Sequence, residues 1–159
     1  MWLIYATILR FMSPKSMPPP EEKAAPPQPA ATEPKPPTAS NGKKILIVED
    51  EKPLSHALEM KLKNQGFGTT VVTNGHDAIE ELSKNTFDLV LLDLIMPVMD
   101  GFGVLQEMIN KKLCVPVIVI SNLGQSEDRA KTKALGAVDY FVKSNTPIAE
   151  IIERVKSVV

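Results

Sequence analysis

Several features are scarce in this chain of 159 residues, and each scarcity excludes a class of protein. The single cysteine, Cys114, cannot form an internal disulfide, which excludes a disulfide-stapled secreted fold and favours the cytoplasm. Because Cys114 precedes an apolar run, we expect it to be a structural, unreactive thiol. A net charge of −1 gives no overall attraction to nucleic acid. The apolar stretch 2–9 ends at Arg10 and is much shorter than the roughly 20 residues that span a bilayer. From the net charge we expect no direct contact with nucleic acid, and from this length we expect none with a membrane.

Proline is unevenly distributed, and its distribution divides the chain. Ten of the fourteen prolines fall within residues 13–42, where large apolar residues are too few to offset the entropy of ordering. We therefore expect residues 13–42 to be a disordered linker, either a passive tether or a ligand for a proline-recognising module. Residues 1–12 form a short apolar segment, either a weak interfacial anchor or a stretch upstream of the true start of translation. Residues 43–159 are enough for one domain.

From residue 43 onward, apolar strand patterns alternate with amphipathic helix patterns. Pro53 suits the first turn of a helix, and Gly66 suits its end. This alternation predicts βαβ units and a parallel sheet with helices on both faces. The segment 68–73 is the least apolar strand and suits an edge, whereas the first, third and fourth strands should be central. The predicted strands are 44–49, 68–73, 88–93, 115–120 and 138–142, and the predicted helices are 53–64, 75–84, 102–111, 125–135 and 146–157.

Charged residues end three of the predicted strands. Glu49 and Asp50 end the first strand, Asp93 ends the third, and Lys143 ends the fifth. In an open α/β sheet the carboxyl ends of the strands form the edge where ligands bind, so these side chains should meet there. Carboxylates suit Mg²⁺, and a lysine can pair with a phosphoryl oxygen. The pattern predicts a site for a divalent cation and a phosphoryl group, although Asp50 on its own could instead cap the following helix.

This part of the chain resembles the receiver domain of two-component response regulators, and the resemblance runs from about Lys43 to Val159. It implies an α/β, flavodoxin-like, doubly wound sheet of five parallel strands in the order 2-1-3-4-5. The matching features, in the order of the family, are the acidic pair Glu49-Asp50, Asp93 with Met96-Pro97-x-Met99-Asp100-Gly101 after it, Ser121 at the end of the fourth strand, and Tyr140 three residues before Lys143.

The resemblance also implies roles for individual residues. Asp93 would accept a phosphoryl group from a sensor histidine kinase or a histidine phosphotransfer protein, with Mg²⁺ as the cofactor. Lys143 and Ser121 would contact the phosphoryl group, and Ser121 and Tyr140 would form the switch. Such a chain is a signalling switch and not an enzyme, since it catalyses only its own phosphorylation and dephosphorylation. The implied ligands of Mg²⁺ are Glu49, Asp50, Asp93 and the backbone carbonyl of Ile95.

The output implied by the resemblance is a change of protein contacts. The sequence has no effector domain before Lys43 or after Val159, which favours a stand-alone receiver. Its output would be binding of a downstream protein, or relay of the phosphoryl group to another histidine. In the family, the face made by the fourth helix, fifth strand and fifth helix changes its binding preference, and we expect the same face to act here.

Two departures from the family pattern affect the site. Ser144 stands where the family usually has a proline after the lysine, so this bond either holds a costly cis form or runs trans, which bears on the pose of Lys143. Ile95 and Leu123 stand two residues after the acceptor and two after the switch hydroxyl. Neither side chain can hydrogen-bond and orient an attacking water. We therefore expect a comparatively long-lived acyl phosphate.

Other functions are compatible with the same sheet but are disfavoured. A phosphorylation-independent, receiver-like binding module would not need the full set of strand-end charges. A phosphohydrolase with a strand-end nucleophile typically carries a second Asp two residues later, where this chain has Ile95. An FMN-binding flavodoxin is disfavoured because the loop 49–53 is acidic and has no Gly, Ser or Thr to hold a phosphate.

Overall fold

Five strands and five helices alternate along residues 42–159, the part of the chain that the computed structural model describes. The expectations for residues 1–12 and for nearly all of 13–42 concern residues outside this part. None of the described helices is long and apolar enough to cross a bilayer. The elements are β1 (Lys44–Val48), α1 (Lys52–Asn64), β2 (Gly68–Val72), α2 (Gly75–Lys84), β3 (Leu89–Leu92), α3 (Gly101–Asn110), β4 (Val117–Ser121), α4 (Ser126–Ala134), β5 (Asp139–Val142) and α5 (Ile148–Val158).

The strands form one parallel sheet in the order β2-β1-β3-β4-β5. This order confirms the predicted doubly wound fold. As their apolar character predicted, β1, β3 and β4 are central and β2 lies at an edge. Every residue of β3 and β4 is buried, because helices cover both faces of the sheet.

Each face of the sheet has its own apolar core. Successive residues of a strand point to opposite faces, so β1 contributes to both. Leu46 and Val48 pack with buried residues of α2 and α3 on one face. Ile45 and Ile47 pack with buried residues of α1 and α5 on the other. The two cores hold the sheet between helix layers and leave its carboxyl edge free for a site.

The two ends of α1 follow the sequence signals. Pro53 lies in the first turn, where its missing N–H costs no helical hydrogen bond. Gly66 follows the helix with a φ of 85°, a left-handed conformation that glycine adopts without a Cβ clash. Its N–H donates to the carbonyl of Lys63 (2.9 Å), which closes the last turn. The chain then reverses directly into β2.

Cys114 does not have the structural role that we expected, and its lack of reactivity stays a prediction. Cys114 is exposed, in the loop between α3 and β4. The apolar run that follows it predicted a strand from residue 115, but β4 begins only at Val117. The thiol therefore lies outside the paired and buried part of the strand.

Gly101 fixes the path of the chain between Asp93 and α3. Asp100 caps α3, since its Oδ1 accepts from the N–H of Gly103 (2.7 Å). The N–H of Gly101 donates to the carbonyl of Leu94 (3.1 Å). A Cβ at Gly101 would overlap the carbonyl oxygen of Asp93 and would lie 2.8 Å from the Cα of Leu94. These are backbone atoms, so only glycine permits this approach.

We predict that Gly101→Ala lowers the free energy of unfolding by about 2–3 kcal/mol, because the added methyl group must push the backbone of Asp93 aside. Urea denaturation would measure this loss. Gly124→Ala is the matched control, since a Cβ there meets no atom within 4 Å. The control should stay within about 0.5 kcal/mol of wild type. Equal losses in the two variants would contradict the packing argument.

Candidate functional site

The parallel register brings the ends of β1, β3 and β5 to one edge of the sheet. Since β1 and β3 are paired neighbours, Glu49 and Asp93, each the first residue after its strand, emerge side by side. The N–H of Asp93 donates to the carbonyl of Val48 (2.9 Å). The N–H of Lys143 donates to the carbonyl of Ser121 (3.0 Å), which ties the end of β5 to that of β4. Sheet hydrogen bonds thus extend to the residues of the site.

Three carboxylates cluster at this edge. Oxygen atoms of Glu49, Asp50 and Asp93 lie within 4.8 Å of one another. Glu49 and Asp93 are 2% and 3% exposed, whereas Asp50 is exposed to solvent. Asp50 does not cap α1, because the N-cap residue is Glu51 and no side chain closes that cap. Hard oxygen donors in this number fit Mg²⁺, which binds through one or two carboxylates and completes its shell with water.

Lys143 joins the acids of two strands. Its Nζ donates to Oδ2 of Asp93 (2.6 Å) and to Oε1 of Glu49 (2.8 Å). The lysine side chain is only 7% exposed, so these charged hydrogen bonds form largely out of water. The sequence therefore predicted correctly that Glu49, Asp93 and Lys143 would meet.

Glu51 is a partner of Lys143 that the sequence reading missed. Its Oε1 accepts from the Nζ of Lys143 at 2.9 Å, and its side chain is 55% exposed. The available signal was a third acid directly after the acidic pair that follows β1. An acid in that position is usually solvated, so its pairing with a residue 92 positions away could not be read from the pattern.

The electrostatics of the site show an excess of negative charge. The pKa of Glu49 is raised to about 7, mainly because the carboxyl is buried; the hydrogen bond from Lys143 opposes this shift, and the nearby charge of Asp93 adds to it. Burial alone would lower the pKa of Lys143. The hydrogen bonds to Asp93, Glu49 and Glu51 outweigh burial and raise it, so the lysine stays charged. One ammonium does not balance these acids, and a divalent cation would.

The two residues expected to form the switch share a partner. Ser121 is fully buried, and its Oγ accepts from the N–H of Leu123 (3.3 Å). Tyr140 is 8% exposed, and its hydroxyl donates to the carbonyl of Leu123 (2.6 Å). Arg129 of α4 stacks over the ring of Tyr140, 5.0 Å from its centre. Ser121 and Tyr140 are thus linked through the peptide groups of a single loop residue.

The two departures from the family pattern have clear structural outcomes. No peptide bond within residues 42–159 is cis, so the chain runs trans after Lys143, and the lysine still reaches Asp93. Ile95 is 52% exposed, and its N–H donates to Oδ1 of Asp93 (3.1 Å). The backbone of Ile95 therefore orients the acceptor, while its side chain offers no polar group at the mouth of the site.

We predict that Lys143→Met lowers the free energy of unfolding by about 3 kcal/mol, because it leaves two buried carboxylates without a cation. Chemical denaturation in chelator would measure the loss, and added Mg²⁺ should restore part of it. Lys156→Met is the control, since its ion pair with Glu153 is exposed and should contribute about 0.5 kcal/mol. Losses of equal size would show that the ion pairs of Lys143 contribute no more to the free energy of unfolding than an exposed ion pair does.

The family model of the response regulator receiver domain matches residues 45–156. The "Probable transcriptional regulator ycf27" of Pyropia yezoensis is 39% identical over 116 residues, which make up 73% of this chain and 47% of that protein. The chain thus spans about half the length of the curated relatives that it matches. The name of this relative refers to transcription, and the expected lack of direct contact with nucleic acid stays a prediction here.

Solved structures match the same part of the chain. The receiver domain of the Francisella response regulator 1452 has a TM-score of 0.70 and 29% identity, and the match covers 73% of this chain and 95% of that one. The response regulator TrrA of Thermotoga maritima, solved in complex with Mg²⁺-BeF, has a TM-score of 0.64 and 31% identity over 74% of this chain and 99% of that one. The sheet order, the strand-end residues and these matches show that the chain belongs to the response regulator receiver domain family, whose members are signalling switches of two-component systems.

Proposed function

We propose that this chain is a phosphoacceptor switch. Asp93 accepts a phosphoryl group from the phosphohistidine of a sensor histidine kinase or a histidine phosphotransfer protein, and the added charge changes the chain's protein contacts. The observation that supports this best is the 2.6 Å contact between Lys143 Nζ and Asp93 Oδ2 in a buried site bordered by two further carboxylates. Buried like charges oppose folding, so a module that only binds partners would have no use for them.

The surroundings of Asp93 suit a nucleophilic carboxylate. Lys143 holds its Oδ2, and the N–H of Ile95 holds its Oδ1, so the carboxylate has a fixed orientation. A carboxylate oxygen supplies the electron pair of the new O–P bond, the P–N bond to the donor histidine breaks, and the imidazole leaves with the electron pair of the P–N bond. Lys143 then donates to a phosphoryl oxygen, and the hydroxyl of Ser121 donates to another. Positioning and electrostatics of this kind provide most of the catalysis of phosphoryl transfer.

The acidic cluster is the proposed site of Mg²⁺. Glu49, Asp50, Asp93 and the backbone carbonyl of Ile95 would hold the ion. When bound, it offsets the repulsion between the acceptor carboxylate and the incoming phosphoryl anion. The donor chemistry of the cluster and its uncompensated charge support this assignment.

The proposed output face consists of α4, β5 and α5. Thr132 is the one buried residue of α4, so little apolar burial holds this helix against the sheet. Ser121 and Tyr140 both contact Leu123 in the loop that leads into α4, which links the phosphorylation site to that helix. We infer that a downstream protein binds this face, or that the phosphoryl group passes to a further histidine. A cytoplasmic location and the absence of direct nucleic-acid and membrane contacts stay predictions.

We predict that incubation with Mg²⁺ and a small phosphodonor adds the mass of one phosphoryl group to the wild-type chain. Intact-mass spectrometry would show no gain for Asp93→Ala and none in excess chelator. Asp139→Ala removes a partly exposed acid of β5 that pairs with Arg154 of α5, and this variant should still gain the mass of one phosphoryl group. No gain in wild type, together with no Mg²⁺ binding by calorimetry, would favour the phosphorylation-independent binding module.

We further infer that the aspartyl phosphate is long-lived. Ile95 lies in the loop after Asp93, and Leu123 lies in the loop after Ser121. Both side chains are apolar. Hydrolysis requires a water aligned with the phosphorus, and a polar side chain at the mouth of the site is the usual means of orienting it. Neither residue supplies one.

We predict that Ile95→Asn combined with Leu123→Glu accelerates loss of the phosphoryl group by about tenfold or more, since the new side chains can orient the attacking water. The decay of phosphorylated protein after removal of the donor gives the rate. Ile95→Val with Leu123→Met controls for repacking and should leave the rate near that of wild type. An unchanged rate in the polar variant would contradict the inference.

A further inference from the structure

The hydrogen-bonding capacity of Lys143 is fully used. An ammonium group has three N–H donors, and three carboxylates accept them: Glu49 at 2.8 Å, Glu51 at 2.9 Å and Asp93 at 2.6 Å. A phosphoryl oxygen that arrives at Asp93 needs one of these donors. At least one carboxylate must therefore release the lysine before the phosphoryl group can be held.

The three carboxylates differ in how easily each can lose its hydrogen bond from Lys143. The side chains of Glu49 and Asp93 are 2% and 3% exposed, so water has little access to replace the lysine at either carboxylate. Glu51 is 55% exposed, so water can replace the lysine at little cost. The hydrogen bond between Glu51 and Lys143 is thus the one that breaks most easily, and the negative charge of Glu51 lies on the solvent side of the site.

We propose that Glu51 is an electrostatic gate that determines which phosphodonors Asp93 accepts, an inference that rests on the proposed function. Glu51 occupies one donor of Lys143 and presents a negative charge to any phosphoryl group that approaches from solvent. It therefore disfavours dianionic small molecules such as acyl phosphates. Donors with positive charge beside the phosphoryl group, as in a protonated phosphoramidate or a phosphohistidine set among basic side chains, offset the charge of Glu51 and are favoured.

Glu51 can be altered without disturbing the helix that it precedes. It is the N-cap residue of α1, but its side chain makes no capping hydrogen bond. The helix uses its backbone carbonyl, which accepts from the N–H groups of Leu54 (3.1 Å) and Ser55 (3.0 Å). A change at this side chain therefore tests the charge and not the fold.

The test compares two small phosphodonors at saturating Mg²⁺ and neutral pH. Acetyl phosphate is a dianion, and phosphoramidate is a net monoanion with a positive nitrogen. In both reactions Asp93 supplies the electron pair of the new O–P bond. The P–O bond to acetate or the P–N bond to ammonia breaks, and acetate or ammonia leaves with its electron pair. The measured quantity is the ratio of the two phosphorylation rates.

Glu51→Gln should increase the rate with acetyl phosphate by about three- to tenfold and change the rate with phosphoramidate by less than about twofold. Glu51→Asp keeps the charge and should keep the wild-type ratio. Glu59→Gln is the matched control: it likewise removes a negative charge that pairs with a lysine, here Lys63, about 12 Å further along α1. It should leave the ratio unchanged.

The outcomes separate this inference from the proposed function. If wild type takes up no phosphoryl group from either donor, the gate is refuted; if it also binds no Mg²⁺ by calorimetry, the proposed function fails as well. If wild type is phosphorylated but Glu51→Gln changes both rates equally or neither, the gate alone is refuted. A shift of the ratio in Glu59→Gln as large as that in Glu51→Gln would also refute it, because net charge would then be the cause.

Discussion

The site depends on one lysine that holds together more negative charge than it can neutralise. Lys143 hydrogen-bonds to two buried acids from different strands and to a third at the surface. Removing carboxylates from water is costly, and a buried ion pair seldom repays that cost in full. The stability of the domain therefore has to come from the two apolar cores on either side of the sheet. The excess negative charge that persists would favour the binding of a divalent cation.

The order of the strands makes this arrangement possible. Because β1 and β3 are neighbours, their acids meet directly at the sheet edge. The lysine follows β5, and β4 lies between it and Asp93, so the side chains of Lys143 and Asp93 together must bridge about 10 Å, or two strand spacings. A long, flexible side chain is suited to this span, and the small Ser121 at the end of β4 leaves room for it. The same topology thus accounts for which residue types stand at which strand ends.

Sequence patterns alone predicted the parallel sheet, its helix layers and the charged edge of the site, whereas the strand order and the switch residues Ser121 and Tyr140 were predicted from the resemblance to the receiver family. Apolar strands alternating with amphipathic helices specify the layers, and the acids and lysine at strand ends specify the edge where they meet. Sequence patterns do not predict features that depend on tertiary contacts. The pairing of Glu51 with Lys143 joins residues far apart in sequence, and the exposure of Cys114 depends on where pairing of β4 begins. The role of Leu123 uses backbone groups, which carry no side-chain pattern.

The link through Leu123 explains how a small change at Asp93 could move a whole helix. A phosphoryl group that draws the Ser121 hydroxyl toward it would pull on the N–H of Leu123, whose carbonyl holds Tyr140. The loop would then take one of two positions, depending on which group engages Ser121, and such a bistable element is what a switch requires. Because α4 buries only Thr132 along its length, it opposes this motion weakly. Two cation–π contacts, Arg129 with Tyr140 and Lys131 with Phe102, also hold α4 in place. These contacts are electrostatic, so charged groups of a binding partner would be able to replace them.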